Sequence, residues 1–230
     1  MKLVGAKALL LAIALVGFGV SRADDVIYDN TSHYLGTYAS VVTEYGEEIV
    51  LGGTSRTLTQ FAFEYFGDFR SQGDELMKIR LYANDGQQIG PDYITPGTLL
   101  FESANIPVRQ DFNSFGFSNM NVPLIDKNNL PISHLTFTVQ FFGLTMVTTG
   151  TKDVAGLLFY DPPSVGTSFN DIWVKQTSGV WAPSRIPGVT KNNFGARLSA
   201  VPEPGSVVLI SLGATALVAV SRRRRSAPQS

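Results

Sequence analysis

Between residues 24 and 200 the apolar side chains recur at every second position, the spacing of a strand that buries one face rather than the 3.6-residue spacing of a helix. In the stretch TLTQFAFEY, Thr59, Phe61, Phe63 and Tyr65 share one side, while Gln60, Ala62 and Glu64 share the other. The stretch ELMKIRLYA sets Met77, Ile79, Leu81 and Ala83 against Lys78, Arg80 and Tyr82, and HLTFTVQFF sets Leu135, Phe137, Val139 and Phe141 against Thr136, Thr138 and Gln140. Such alternation predicts antiparallel strands with one wet face. Shorter strands are expected near Val26 to Tyr28, Glu48 to Leu51, Leu99 to Glu102, Ser114 to Ser118, Ala155 to Tyr160, Ile172 to Gln176 and Ala196 to Leu198. Asp85-Gly86 is a pair suited to positive φ and predicts a hairpin turn. Turn-rich segments such as IGPDYITPG, DKNNLP and DPPSVG punctuate these runs, and no useful amphipathic helical window precedes residue 205. The expectation is an all-β fold, an antiparallel two-sheet sandwich of jelly-roll-like form, with no internal repeat of fixed period.

The two ends break this pattern. MKLVGAKALLLAIALVGFGVSRADD places Lys2 and Lys7 before an apolar run from Ala8 to Val20, followed by Ser21-Arg22-Ala23. This order reads as a secretory signal peptide cut between Ala23 and Asp24. Thirteen helical residues reach only about 20 Å, short of a roughly 30 Å hydrocarbon core, which argues against a permanent anchor. Near the other end the 18 residues from Pro204 to Ser221 carry no charge. As a helix they extend about 27 Å, near enough to span a membrane. The cluster Arg222, Arg223, Arg224 and Arg225 would hold that end in the cytoplasm and leave the body outside. The expected organisation is a signal peptide (1–23), a sandwich domain (24–200) and a C-terminal tail (201–230).

Charge and composition narrow the function. Seven of the 18 basic residues lie at the two ends, so residues 24 to 200 hold 11 basic against 18 acidic side chains. A body of net charge −7 repels a phosphate backbone, and no nucleic-acid partner is expected. The chain has no cysteine. It therefore offers no disulfide, no thiol nucleophile and no Cys-ligated metal.

The tail orders three parts: Val201-Pro202-Glu203-Pro204, then the apolar helix, then the arginines. That combination resembles the PEP-CTERM sorting signal of exported bacterial proteins. The resemblance covers about the last 30 residues, and GLLFYDPPSVGTSFNDIWVKQTSGVW is similar to the sandwich bodies that many such proteins carry. It implies recognition of the motif by an exosortase-type membrane protease, and association with an exopolysaccharide layer. The two prolines remove backbone donors and hold Glu203 in an extended segment, a geometry suited to a peptide in a processing site.

Catalytic motifs are sparse. His33 and His134 stand in no metal-ligand spacing, and no G-x-S-x-G, P-loop or G-x-G-x-x-G occurs. Gly52-Gly53-Thr54 reads as a turn. The segment from Asp126, DKNNL, alternates oxygen ligands but lacks the Gly and distal Glu of a calcium loop. Adjacent carboxylates at Glu47-Glu48 and Asp74-Glu75 read as solvated strand ends, since neighbouring strand residues point to opposite faces. No metal or other cofactor is expected, and no enzyme activity. The remaining constellation is aromatic and acidic: Tyr160, Asp161, Asn170, Asp171, Trp173 and Trp181. Such rings can pack on a sugar's C–H face while carboxylates and amides accept its hydroxyl protons. Core packing is the competing reading of the same rings. The function expected is therefore an exported, non-enzymatic surface or matrix protein, with a carbohydrate-binding module or weak glycosidase as the alternative.

Overall fold

The computed structural model describes residues 24–41, 43–91, 93–144 and 153–202. The expected signal peptide with Ala23, the apolar helix after Pro204 and Arg222 to Arg225 lie outside the described residues.

Seventeen strands occur among the described residues, and no helix. They are β1 (Asp25–Asp29), β2 (Tyr34–Ala39), β3 (Tyr45–Val50), β4 (Thr57–Asp68), β5 (Leu76–Ala83), β6 (Gln88–Ile89), β7 (Tyr93–Ile94), β8 (Leu99–Glu102), β9 (Ile106–Pro107), β10 (Asp111–Phe117), β11 (Val122–Pro123), β12 (His134–Phe142), β13 (Val154–Tyr160), β14 (Thr167–Ser168), β15 (Ile172–Lys175), β16 (Trp181–Ser184) and β17 (Ala196–Val201). Two large antiparallel sheets take up all but β6 and β7. The first is built on β4, the longest strand, which pairs with β10 and β11 along one edge and with β17 and β13 along the other; β1 and β2 extend it beyond β17 and β13. The second runs β16-β15-β3-β12-β5-β8.

The alternation read from the sequence fixes which faces meet. Phe61, Phe63 and Tyr65 of β4 and Leu135, Phe137, Val139 and Phe141 of β12 are buried in one cluster. Phe61 meets Phe137 with ring centroids 5.6 Å apart, and Tyr65 meets Phe141 at 6.2 Å. Each large apolar side chain so buried contributes roughly 1.5–3 kcal/mol. Tyr45 of β3 adds a polar tie across the interface: its hydroxyl donates to the Ala39 carbonyl at 2.6 Å and accepts from the Leu157 N–H at 3.0 Å. Both partners belong to the opposite sheet, so the sheets are locked in register as well as packed.

The Asp85-Gly86 expectation is corrected. The chain does not turn back there; it makes an excursion from Asn84 to Thr98 that carries the β6–β7 ribbon, and β8 then returns beside β5 with Tyr82 opposite Leu99. Asp85 holds this excursion closed by accepting from the Thr98 N–H and hydroxyl, both at 2.7 Å. Gly86 serves close approach instead of positive φ, because a Cβ there would lie 2.3 Å from Thr95 Oγ1.

Glu47 and Glu48 are likewise corrected. Both stand in mid-strand in β3, and Glu47, between inward-facing Tyr45 and Ile49, is wholly buried. Glu75 is also buried, its oxygens taking the N–H groups of Gln72 and Gly73 at 2.6 and 3.0 Å.

Candidate functional site

The six residues of the aromatic and acidic constellation do not share a surface. Ile172 and Val174 face the sandwich core, so alternation turns Trp173 and Lys175 to the outside of the second sheet. Trp173 is nevertheless only 2% exposed. The β6–β7 ribbon folds over that face, and Ile89 and Tyr93 pack against Trp173, Trp181 and Tyr82 as a second small core. Tyr93 meets Trp173 edge-on at 5.9 Å, Tyr82 meets Trp181 at 5.7 Å, and Lys175 Nζ sits 5.1 Å from the Trp181 ring centre. The Trp173 indole donates to Glu48 Oε2 at 3.2 Å, and the Tyr93 hydroxyl to Asp171 Oδ2 at 2.8 Å. Asn170 accepts from the Asn192 N–H at 2.8 Å, Asp161 accepts from Asn193 Nδ2 at 2.7 Å, and Tyr160 stands in the other sheet. The tryptophan faces are packed on protein and present no platform.

Beneath the ribbon, Glu44 is the hub of a buried polar network. It accepts from the Tyr82 and Thr138 hydroxyls at 2.9 and 2.8 Å and pairs with Arg80 at 2.9 Å and Lys175 at 3.2 Å. Burial, and then the Glu44 carboxylate, push the Tyr82 phenol above its ordinary range. Four donors converge on one carboxylate, which satisfies it and fixes the strands around it.

A cleft opens beside this network between Ile94, Phe169 and His134. His134 Nδ1 lies 2.8 Å from Glu48 Oε1, and its ring is 5.8 Å from Phe169. The two aspartates at its rim are committed to the main chain. Asp85 accepts from the Lys127 N–H at 2.7 Å, besides Thr98, and these bonds outweigh burial to hold its carboxyl below the ordinary range. Asp126 accepts from the N–H groups of Asn128 and Leu130 at 2.8 and 2.9 Å, capping a turn in which Asn129 has φ 59°. Neither carboxylate is free for acid–base chemistry, and among the described residues no three His, Cys, Asp or Glu side chains converge on a metal position.

The exposed aromatic surface lies instead on the outside of the first sheet. Tyr34, Tyr38, Phe66 and Phe112 come from three strands and form a strip: Tyr38 to Phe66 is 5.0 Å, Phe66 to Phe112 4.9 Å and Phe112 to Tyr34 5.7 Å between ring centroids. Tyr160 joins it at 5.5 Å from Tyr34, and its hydroxyl donates to Glu64. Phe112 is 62% and Tyr34 39% exposed. Sequence reading found Tyr160 but missed the other rings, which lie far apart along the chain. The available signal was Phe66, an aromatic on the polar phase of β4.

The last strand carries the start of the tail. Ala200 and Val201 pair with Leu58 and Thr57, so Val201 of Val-Pro-Glu-Pro is still in the sheet and Pro202 ends the pairing. Glu203, Pro204 and all that follow lie outside the described residues. The molecule is thus an antiparallel two-sheet body whose final strand runs directly into the Pro-Glu-Pro segment. The family model of the PEP-CTERM protein-sorting motif matches residues 200–225, so the chain carries that sorting motif at its C-terminal tail. The motif implies export and sorting through exosortase, a membrane protease. No curated protein and no solved structure matches the chain.

Proposed function

We propose that this protein is an exported, non-enzymatic component of the cell surface or extracellular matrix, delivered by its C-terminal tail and associated with exopolysaccharide. The observation that carries the reading is the sorting motif at residues 200–225, which begins inside the last strand of a folded body. The apolar stretch from Pro204 to Ser221 would hold the chain in the membrane, with Arg222, Arg223, Arg224 and Arg225 as its cytoplasmic stop. Pro202, Glu203 and Pro204 would then lie at the outer interface, within reach of a membrane protease. Cleavage near Val201 to Pro204 separates the sandwich from the helix and leaves its strands whole.

Replacing Glu203 with Ala is expected to leave membrane insertion intact and to slow processing, since helix and arginines are untouched. Neutralising the four arginines is expected to mis-sort the chain. Blots of membrane and medium fractions from the native host check both. Wild-type protein that keeps residues 205–230 indefinitely at the cell surface would show a permanent anchor and sink the sorting role.

The exposed strip on the first sheet favours a second reading, a carbohydrate-binding module. Rings at Tyr34 and Phe112 offer apolar faces, and Glu64 beside Tyr160 offers acceptor oxygens. Both rings protrude, so Tyr34→Ala and Phe112→Ala are expected to fold normally and to weaken binding to the host's own exopolysaccharide by roughly 2- to 12-fold each. Affinity electrophoresis in that polysaccharide reads the effect. An unretarded wild-type protein removes the binding role and leaves the surface role standing.

A further inference from the structure

The sorting motif starts inside the folded body, and that position sets a mechanical problem. Val201, the first residue of Val-Pro-Glu-Pro, still pairs with Thr57 of β4. Only Pro202 and Glu203 separate it from the uncharged stretch that begins at Pro204. Extended chain spans at most about 3.3–3.6 Å per residue, so the three steps from Val201 to Pro204 reach roughly 11 Å. A single α-helix with its side chains is already about 10–12 Å across. A protease that closes around residues 201 to 204 therefore has almost no free chain to grip while β17 is fully paired. Cleavage within a folded chain follows the fraction of time for which the segment is open.

The end of β17 is set apart from the rest of the strand. β17 lies between β1 and β4, and two bulges interrupt these ladders around Ser199. On the β4 side Ser199 pairs with Gln60 and Ala200 with Leu58, so Thr59 has no partner in β17. On the β1 side Leu198 pairs with Tyr28 and Ser199 with Val26, so Ile27 is skipped. A bulge disrupts a ladder locally and is a common place for pairing to end. Beyond the bulges stand Ala200, opposite Asp25 and Leu58, and Val201, opposite Thr57. The side chains divide at the same point. Leu198 is wholly buried in the core, whereas Ala200 puts only a methyl group there and Val201 is partly exposed. Releasing the last two residues uncovers little apolar area, and going further pulls out a leucine. The Thr59 hydroxyl donates to the Ser199 carbonyl at 3.0 Å and holds the strand on the body side of the break.

We propose that β17 carries a built-in release: Ala200 and Val201 unzip together from β1 and β4 to present the motif to the membrane protease, the bulges at Ser199 stop the opening there, and the two residues pair again once the tail is gone. The inference rests on the reading above that the tail is cut near Val201 to Pro204. Two freed residues add about 7 Å of extended chain. Ala196 to Ser199 stay paired, so the sandwich remains closed while its end is open. Processing then depends on a local opening at the end of one strand and not on unfolding of the body.

The test locks the end shut. The chain has no cysteine, so Thr57→Cys combined with Val201→Cys allows a single intramolecular disulfide, across the last pair of the β4 ladder. The full chain is expressed in the native host, and its membranes are isolated. Cross-linked chain is expected to accumulate unprocessed, and its processing to start when a phosphine reductant opens the bond; chain with Val201→Cys alone is the comparison. Processing of the cross-linked chain as fast as Val201→Cys alone would overturn the proposal. Hydrogen exchange on the wild-type full chain in mild detergent, read by NMR, decides independently of any variant. The Ala200 amide is expected to exchange at least about tenfold faster than that of Leu198. Equal protection of the two amides would overturn the proposal as well. The sorting reading fails on a different result, wild-type chain that is never cut, and that result would overturn both.

Discussion

Replacing Gly46 with alanine is expected to abolish the folded body. Gly46 lies in β3 between two partners, opposite Thr138 of β12 and Trp173 of β15. A Cβ built there would stand 1.8 Å from the Phe137 carbonyl oxygen and 2.6 Å from Thr138 Cα. Both are backbone atoms of the central strand of the sheet, so no side-chain rotation relieves the clash. Relief requires β3 and β12 to part, which breaks the ladder from Tyr45 to Val50 and exposes the face that carries Glu44. Overpacking of this kind costs at least the roughly 3 kcal/mol at the top of the usual range, against a total stability on the order of 5–15 kcal/mol. The expected result is insoluble protein, or a soluble product without a cooperative urea transition. Gly53→Ala is the control. Gly53 has a positive φ of 58° but nothing within 4 Å of its Cβ position, so the cost is only the left-handed backbone, about 1–2 kcal/mol. If Gly46→Ala unfolds at the wild-type urea concentration, β3 and β12 are not paired in this register.

The strands that fold by local rule were legible, and the contacts between distant strands were not. Phe61, Phe63 and Tyr65 on one face of β4, and Leu135 to Phe141 on one face of β12, follow from a period of two that any window of nine residues displays. The pairing of β17 with β4, which sets Ala196 opposite Phe63, has no such signal, because it depends on which other edges are already taken. Glu47 shows a rule applied too weakly. The alternation that buries Tyr45 and Ile49 buries Glu47 with them, but its charge argued for solvent, and only the folded chain brings the Phe194 N–H to the buried carboxyl. Site residues divide the same way. The sorting motif is contiguous and was readable in full, whereas Tyr34, Phe66 and Phe112 meet only because β2, β4 and β10 lie in one sheet.

Trp173 separates the two kinds of reading most sharply, and Trp173→Ala is expected to destabilise the protein by about 3–5 kcal/mol, the cost of emptying a large buried ring. A sugar-platform tryptophan would give the opposite result, lost binding with stability unchanged. The ring is held by Tyr93 and Ile89 from the ribbon and by Glu48 through its indole N–H. Removing it therefore leaves a cavity, an unpaired carboxylate oxygen and a ribbon with nothing to pack on. Trp173→Phe divides these losses: it refills most of the volume but still leaves Glu48 Oε2 without its donor, so a smaller loss of about 1–3 kcal/mol is expected. The chain has two tryptophans, and in either variant Trp181 becomes the sole indole reporter. Its emission is expected to shift to the red in Trp173→Ala, as the ribbon lifts and water reaches the Tyr82 to Trp181 contact, and to stay near the wild-type position in Trp173→Phe. Urea unfolding followed by circular dichroism gives the stabilities independently. Wild-type stability in Trp173→Ala would mean that the ribbon does not seat on the sheet, and would return the indole face to the list of surfaces open to a sugar.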